Sequence, residues 1–145
     1  MKRSIFAWLS ILSFLLFLPA CDLVNNGTEH VEAEGFEIYD ASGAKVIRYF
    51  QDGIESGSKL SVTKGTTSTF TIKWIDADKN VITNLEAGAS LHFATVSAAV
   101  ATVAANGDWG VNVTGVNTGT TEIEIGLLHE GHFDFAKRNI PVEVK

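Results

Sequence analysis

Between Thr67 and Asp76 the apolar residues fall at every second position: Phe70, Ile72 and Trp74 alternate with Thr69, Thr71 and Lys73. A repeat of two belongs to an extended strand, whose successive side chains point to opposite faces, so this segment makes a strand buried on one side and wetted on the other. The same period recurs along most of the chain. Phe36 and Ile38 alternate with Glu37 and Tyr39, and Lys45 to Gln51 follows after Asp40-Ala41-Ser42-Gly43, which predicts a hairpin. Leu60 and Val62, Leu91 and Phe93, then Thr121, Ile123, Ile125 and Leu127, and finally Ile140, Val142 and Val144 repeat the pattern. Asp52-Gly53, Lys64-Gly65, Asn106-Gly107-Asp108 and the Gly115 to Gly119 stretch supply turns between them.

Roughly eight or nine short strands with turns at such close spacing suit an all-β domain. Each one-faced sheet must bury its apolar side against another, so the expected architecture is a two-sheet sandwich, mostly antiparallel, with an added N-terminal hairpin. A small barrel is the alternative. Ala87 to Ala105 stays open between helix and strand, because its alanines favour helix while its pattern lacks helical period.

The beginning of the chain is of another kind. Lys2 and Arg3 precede an apolar run, Ile5 to Leu18, interrupted by Ser10 and Ser13 and closed by the small residue Ala20. This is the layout of a signal peptide, and the run is shorter than the roughly 20 residues of a membrane-spanning helix. Leu18-Pro19-Ala20-Cys21 resembles the lipobox of bacterial lipoproteins, in which the cysteine sulfur receives a diacylglyceryl group before cleavage ahead of it; Pro19 departs from the small or β-branched residue usual there. Cys21 is the only cysteine, so it has no partner for an intrachain disulfide in an exported protein.

The expected organisation is a signal peptide over 1–20, a lipidated tether over 21–29 and one sandwich domain over 30–145. Acyl chains on Cys21 would hold the protein to the bilayer at about 0.8 kcal/mol per buried CH₂. A flexible tether of n residues spans only about 5–6 Å times the square root of n, which keeps the domain near the membrane. Asp22 is similar to the residue that retains lipoproteins at the periplasmic face of the inner membrane in enteric-type bacteria; elsewhere the outer membrane or cell surface is expected. Loss of Lys2 and Arg3 takes the formal charge from -6 to -8. That acidity argues against nucleic acid or anionic lipid as a partner and could suit a cationic ligand. The anchor and the sandwich together make another protein of the cell envelope the expected partner.

Three stretches carry a family resemblance. Val100-Ala101-Thr102-Val103, Asn106-Gly107 and the run from Val113-Thr114-Gly115 through Gly119-Thr120-Thr121-Glu122-Ile123 resemble the second half of bacterial Ig-like domains of group 2. Leu60 to Thr66 resembles the opening strand and turn of those domains, and Ile75-Asp76-Ala77-Asp78 a strand end. The likeness runs from Lys59 to Lys145 and departs at Trp109-Gly110 and over His129 to Phe135. It implies an extracytoplasmic Ig-like sandwich of the kind found in surface and adhesion proteins, without enzyme activity, to which residues 31–58 add a hairpin.

Chemistry concentrates in His129-Glu130-Gly131-His132-Phe133-Asp134. Imidazoles on a turn can converge on one ion, and imidazole with carboxylate suits zinc or copper. The fullest set joins His30 to His129 and His132, with Glu32 or Asp134 as fourth ligand, and needs the N-terminal strand beside the penultimate one. The other reading makes His129 and His132 surface residues of a polar hairpin connection. His92 is opposite in phase to Leu91 and Phe93 and is expected to face solvent. No nucleophile elbow appears and the histidine spacing is not that of HExxH, so no catalytic residues are expected. Trp74 is expected in the core, Trp109 in a more open place, and Tyr39 and Tyr49 on the outer face of the first hairpin.

Overall fold

The computed structural model describes residues 32–145. The expected signal peptide, Cys21, the tether and His30 lie outside the described residues. Among the described residues no helix is long and apolar enough to cross a membrane. Ten strands follow one another: β1 (Gly35–Asp40), β2 (Lys45–Phe50), β3 (Gly53–Ser56), β4 (Leu60–Val62), β5 (Thr67–Ile75), β6 (Ser90–Thr95), β7 (Ala101–Ala105), β8 (Gly110–Gly115), β9 (Gly119–His129) and β10 (His132–Val144). They form a six-stranded sheet in the order β3-β2-β1-β5-β8-β7 and a four-stranded sheet in the order β4-β10-β9-β6. All pairings are antiparallel except β4 with β10. The fold is thus the expected all-β, Ig-like two-sheet sandwich, and the N-terminal hairpin extends one sheet by pairing β1 with β5.

The core is built from the alternate residues that the period-two pattern marks. Phe36 and Ile38 of β1, Phe70, Ile72 and Trp74 of β5, and Val111 and Val113 of β8 face Ile123, Ile125 and Leu127 of β9 and Ile140, Val142 and Val144 of β10, all buried. Each such side chain contributes about 1.5–3 kcal/mol relative to exposure. Phe135 stands in an aromatic cluster, with ring centroids 5.9 Å from Phe36 and 5.6 Å from Trp74. Ala87 to Ala105 resolves into β6, a turn and β7, because pairing of β6 with β9 and of β7 with β8 outweighs the alanines' helix preference.

One expectation is corrected. Tyr49 does not share the outer face with Tyr39 but is buried and stacks on Phe36 at 5.4 Å. Phe36 and Tyr49 are register partners across the hairpin, and partners in an antiparallel pair lie on the same side of the sheet. A register irregularity between Ile38 and Tyr39 separates the two tyrosines.

The outer face of the six-stranded sheet carries a buried carboxylate. Glu37 is 3% exposed and lies in register with Arg48 on one side and Lys73 on the other. Its Oε1 accepts from Arg48 Nε at 2.7 Å and from Lys45 Nζ at 3.0 Å, and its Oε2 accepts from the Tyr39 hydroxyl. Burial pushes the Glu37 carboxyl up, but the hydrogen bonds from Tyr39, Lys45 and Arg48 outweigh it and hold the group below the usual carboxylate range.

Candidate metal centre

The stretch from His129 to Phe135, where the Ig-like resemblance breaks off, contains the tight turn Glu130-Gly131 between the two longest described strands. Its two central residues both have positive φ, 47° at Glu130 and 88° at Gly131, the conformation that a two-residue hairpin loop needs to match strand twist. His129 and His132 are therefore direct register partners. His129 lies two residues beyond buried Leu127, so both histidines stand on the inner side of the four-stranded sheet, at its end.

A bulge brings in the third residue. Phe133 opposes Leu128 but Phe135 opposes Leu127, so β10 holds one residue more than β9 between them, and that residue is Asp134. The bulge returns Phe135 to the core and leaves Asp134 beside the histidines. His132 Nε2 is 2.9 Å from Asp134 Oδ1, and His129 Nδ1 is 3.3 Å from Asp134 Oδ2. The histidine rings are 5.8 Å apart at 54°, and the three ligand atoms lie within 4.8 Å of one another. Zinc holds imidazole nitrogen at about 2.0–2.1 Å, and a group of this spacing could hold such an ion.

A fourth group comes from elsewhere in the chain. Glu86 Oε2 is 3.1 Å from the same His129 Nδ1. Topology places it: β6 starts at Ser90, paired with Leu128, and the turn before it closes with Ala89 N donating to Glu86 O at 3.1 Å. The opposite edge of the imidazole faces Gly88, where a Cβ would stand 4.0 Å from Nε2. Sequence reading missed Glu86, since its approach depends on the pairing of β6 with β9.

Of the other expected ligands, His30 lies outside the described residues. β1 lies in the six-stranded sheet between β2 and β5, and Glu32 is exposed. Glu130 occupies the turn and points into no ligand cluster among the described residues. His92 is half-buried, edge-on to Phe133 with centroids 5.1 Å apart and with Nε2 3.5 Å from Glu124 Oε2, so its outward phase holds but Phe133 covers it.

A groove of about 520 Å³ adjoins the centre. Ile82 N donates to Trp74 O at 2.9 Å and Ile72 N donates to Trp109 O at 2.8 Å, so the 81–86 segment and Trp109 both run along β5. Trp74 and Trp109 line the groove, and so does Glu86. Trp74 is core, as its phase requires, and Trp109 is partly buried against it.

No protein-family model matches the chain, and no curated protein does. Among solved structures, domains 5-6 of the S-layer protein SbsC are similar at 24% identity and TM-score 0.45, over 61% of this chain and 40% of that one. Domains 4 and 5 of SbsC are similar at 18% identity and TM-score 0.45, over 83% of this chain and 79% of that one.

Proposed function

We propose that this chain is a lipid-anchored, non-catalytic module of the cell envelope, acting through protein contacts. The observation that carries the reading is the place of the sole cysteine, directly after Leu18-Pro19-Ala20 and a short polar run ahead of β1 at Gly35. The bilayer is then one partner, held through acylated Cys21, and an envelope protein the other. Palmitate labelling and membrane fractionation of the full chain and its Cys21→Ser variant test this. Label and membrane association lost in the variant support it; an unlabelled wild-type chain overturns it.

A second reading rests on the gathering of His129, His132 and Asp134 at one hairpin end. Two imidazoles and a carboxylate suit zinc or copper and not calcium, which takes oxygen ligands. X-ray absorption of the zinc-loaded and copper-loaded protein tests it. Two imidazole ligands per ion support the site, and a shell without imidazole excludes it.

A further inference from the structure

We propose that Glu86 is the fourth ligand of this ion and that metal binding thereby fixes the wall of the adjoining groove. The proposal rests on the metal reading of the hairpin and adds the coupling between centre and groove.

Glu86 and Asp134 both direct a carboxylate oxygen at His129 Nδ1, at 3.1 and 3.3 Å. A single N–H hydrogen can favour one acceptor, whereas a cation seated among these atoms draws on both carboxylates and on the nitrogen lone pair. The convergence of the two carboxylates makes Nδ1 the ligating atom, and the ring edge away from them faces Gly88. The ligand atoms of His129, His132 and Asp134 already lie within 4.8 Å of one another, and Glu86, outside that cluster but on the same His129 nitrogen, would have to swing toward the ion to give two imidazoles and two carboxylates, a four-coordinate set that zinc accepts. His129 is the anchored member, its side chain 13% exposed, while His132 is 64% exposed and closes on the ion from outside.

Glu86 also lines the groove. Its wall is tied to β5 at Ile82 and returns to the four-stranded sheet through the turn at Ala89, and Thr83, Asn84 and Leu85 between them belong to no strand. A ligand bond at Glu86 adds a fixed point at the end of this stretch, in the groove that Trp109 also lines. The groove wall is then fixed with metal and less constrained without it.

The tryptophans report on this directly. Trp8 falls in the expected signal peptide, and the two others, Trp74 and Trp109, both line the groove. The chain from residue 21 with Cys21→Ser retains all ten of the described strands. Zinc would be titrated into this protein and into its Glu86→Gln and Glu86→His variants, by calorimetry and by tryptophan emission, with circular dichroism confirming the fold of each. The expected result is one zinc per chain with an emission change in step, affinity lowered about tenfold or more in Glu86→Gln together with loss of that change, and recovery of binding in Glu86→His, which can ligate. Wild-type affinity and emission in Glu86→Gln would overturn the proposal and leave the hairpin site standing, as would equal loss in both variants or wild-type binding without an emission change. No zinc binding by the parent protein would overturn both.

Discussion

His129 and His132 face each other as register partners across the Glu130-Gly131 turn, with their rings 5.8 Å apart and one carboxylate, Asp134, within reach of both. The arrangement depends on a loop of two residues. One residue more would shift the register and send one imidazole to the other face of the sheet.

Gly131 is the weak point of that loop. At φ 88° a side chain is strained although nothing crowds the position. Gly131→Val is expected to cost about 1–2 kcal/mol of stability and to weaken zinc binding by disturbing the turn. Urea denaturation without metal, followed by a zinc titration, measures the two effects separately.

Glu37 makes folding sensitive to acid. Its folded carboxyl lies below the ordinary 4.5, so its contribution to stability is complete above about pH 4.5 and is lost as pH falls through the lowered folded value. Glu37→Gln is expected to lose about 2 kcal/mol at neutral pH, since Arg48 and Lys45 keep some solvent when their partner goes. The gap between variant and wild type should shrink on acidification below the ordinary value. Urea midpoints across that range would show it, and a gap independent of pH would contradict the assignment.

Gly115 marks a corner where the sheets meet. A Cβ there would lie 2.8 Å from Thr63 O, which accepts from Thr66 N, and 2.8 Å from Val144 Cγ1, which the register of Val144 with Val62 holds in place. Gly115→Ala is expected to lower stability by about 1–3 kcal/mol through overpacking. Thermal unfolding of the variant checks this.

The strands were legible where one face is buried, because burial writes itself into every second residue: Phe70, Ile72 and Trp74, or Ile123, Ile125 and Leu127. Tyr49 was misplaced because an aromatic with a hydroxyl suits either face, and its register against Phe36 decides. The turn histidines stood out by composition alone. Glu86 did not, since nothing local distinguishes it from other surface glutamates; the pairing of Ser90 with Leu128 carries it to His129. The bulge that turns Asp134 inward was equally hidden, because it answers to the need of Phe135 to reach the aromatic cluster.

The claim that this hairpin is a metal centre is tested most directly by calorimetric titration with zinc and with copper of the untagged protein, in wild-type form and as His129→Ala/His132→Ala. One-to-one binding tighter than about 1 μM, worth about 8 kcal/mol and abolished in the double variant, is predicted. Binding no tighter than about 1 mM in the wild type, or tight binding retained without the histidines, would contradict it.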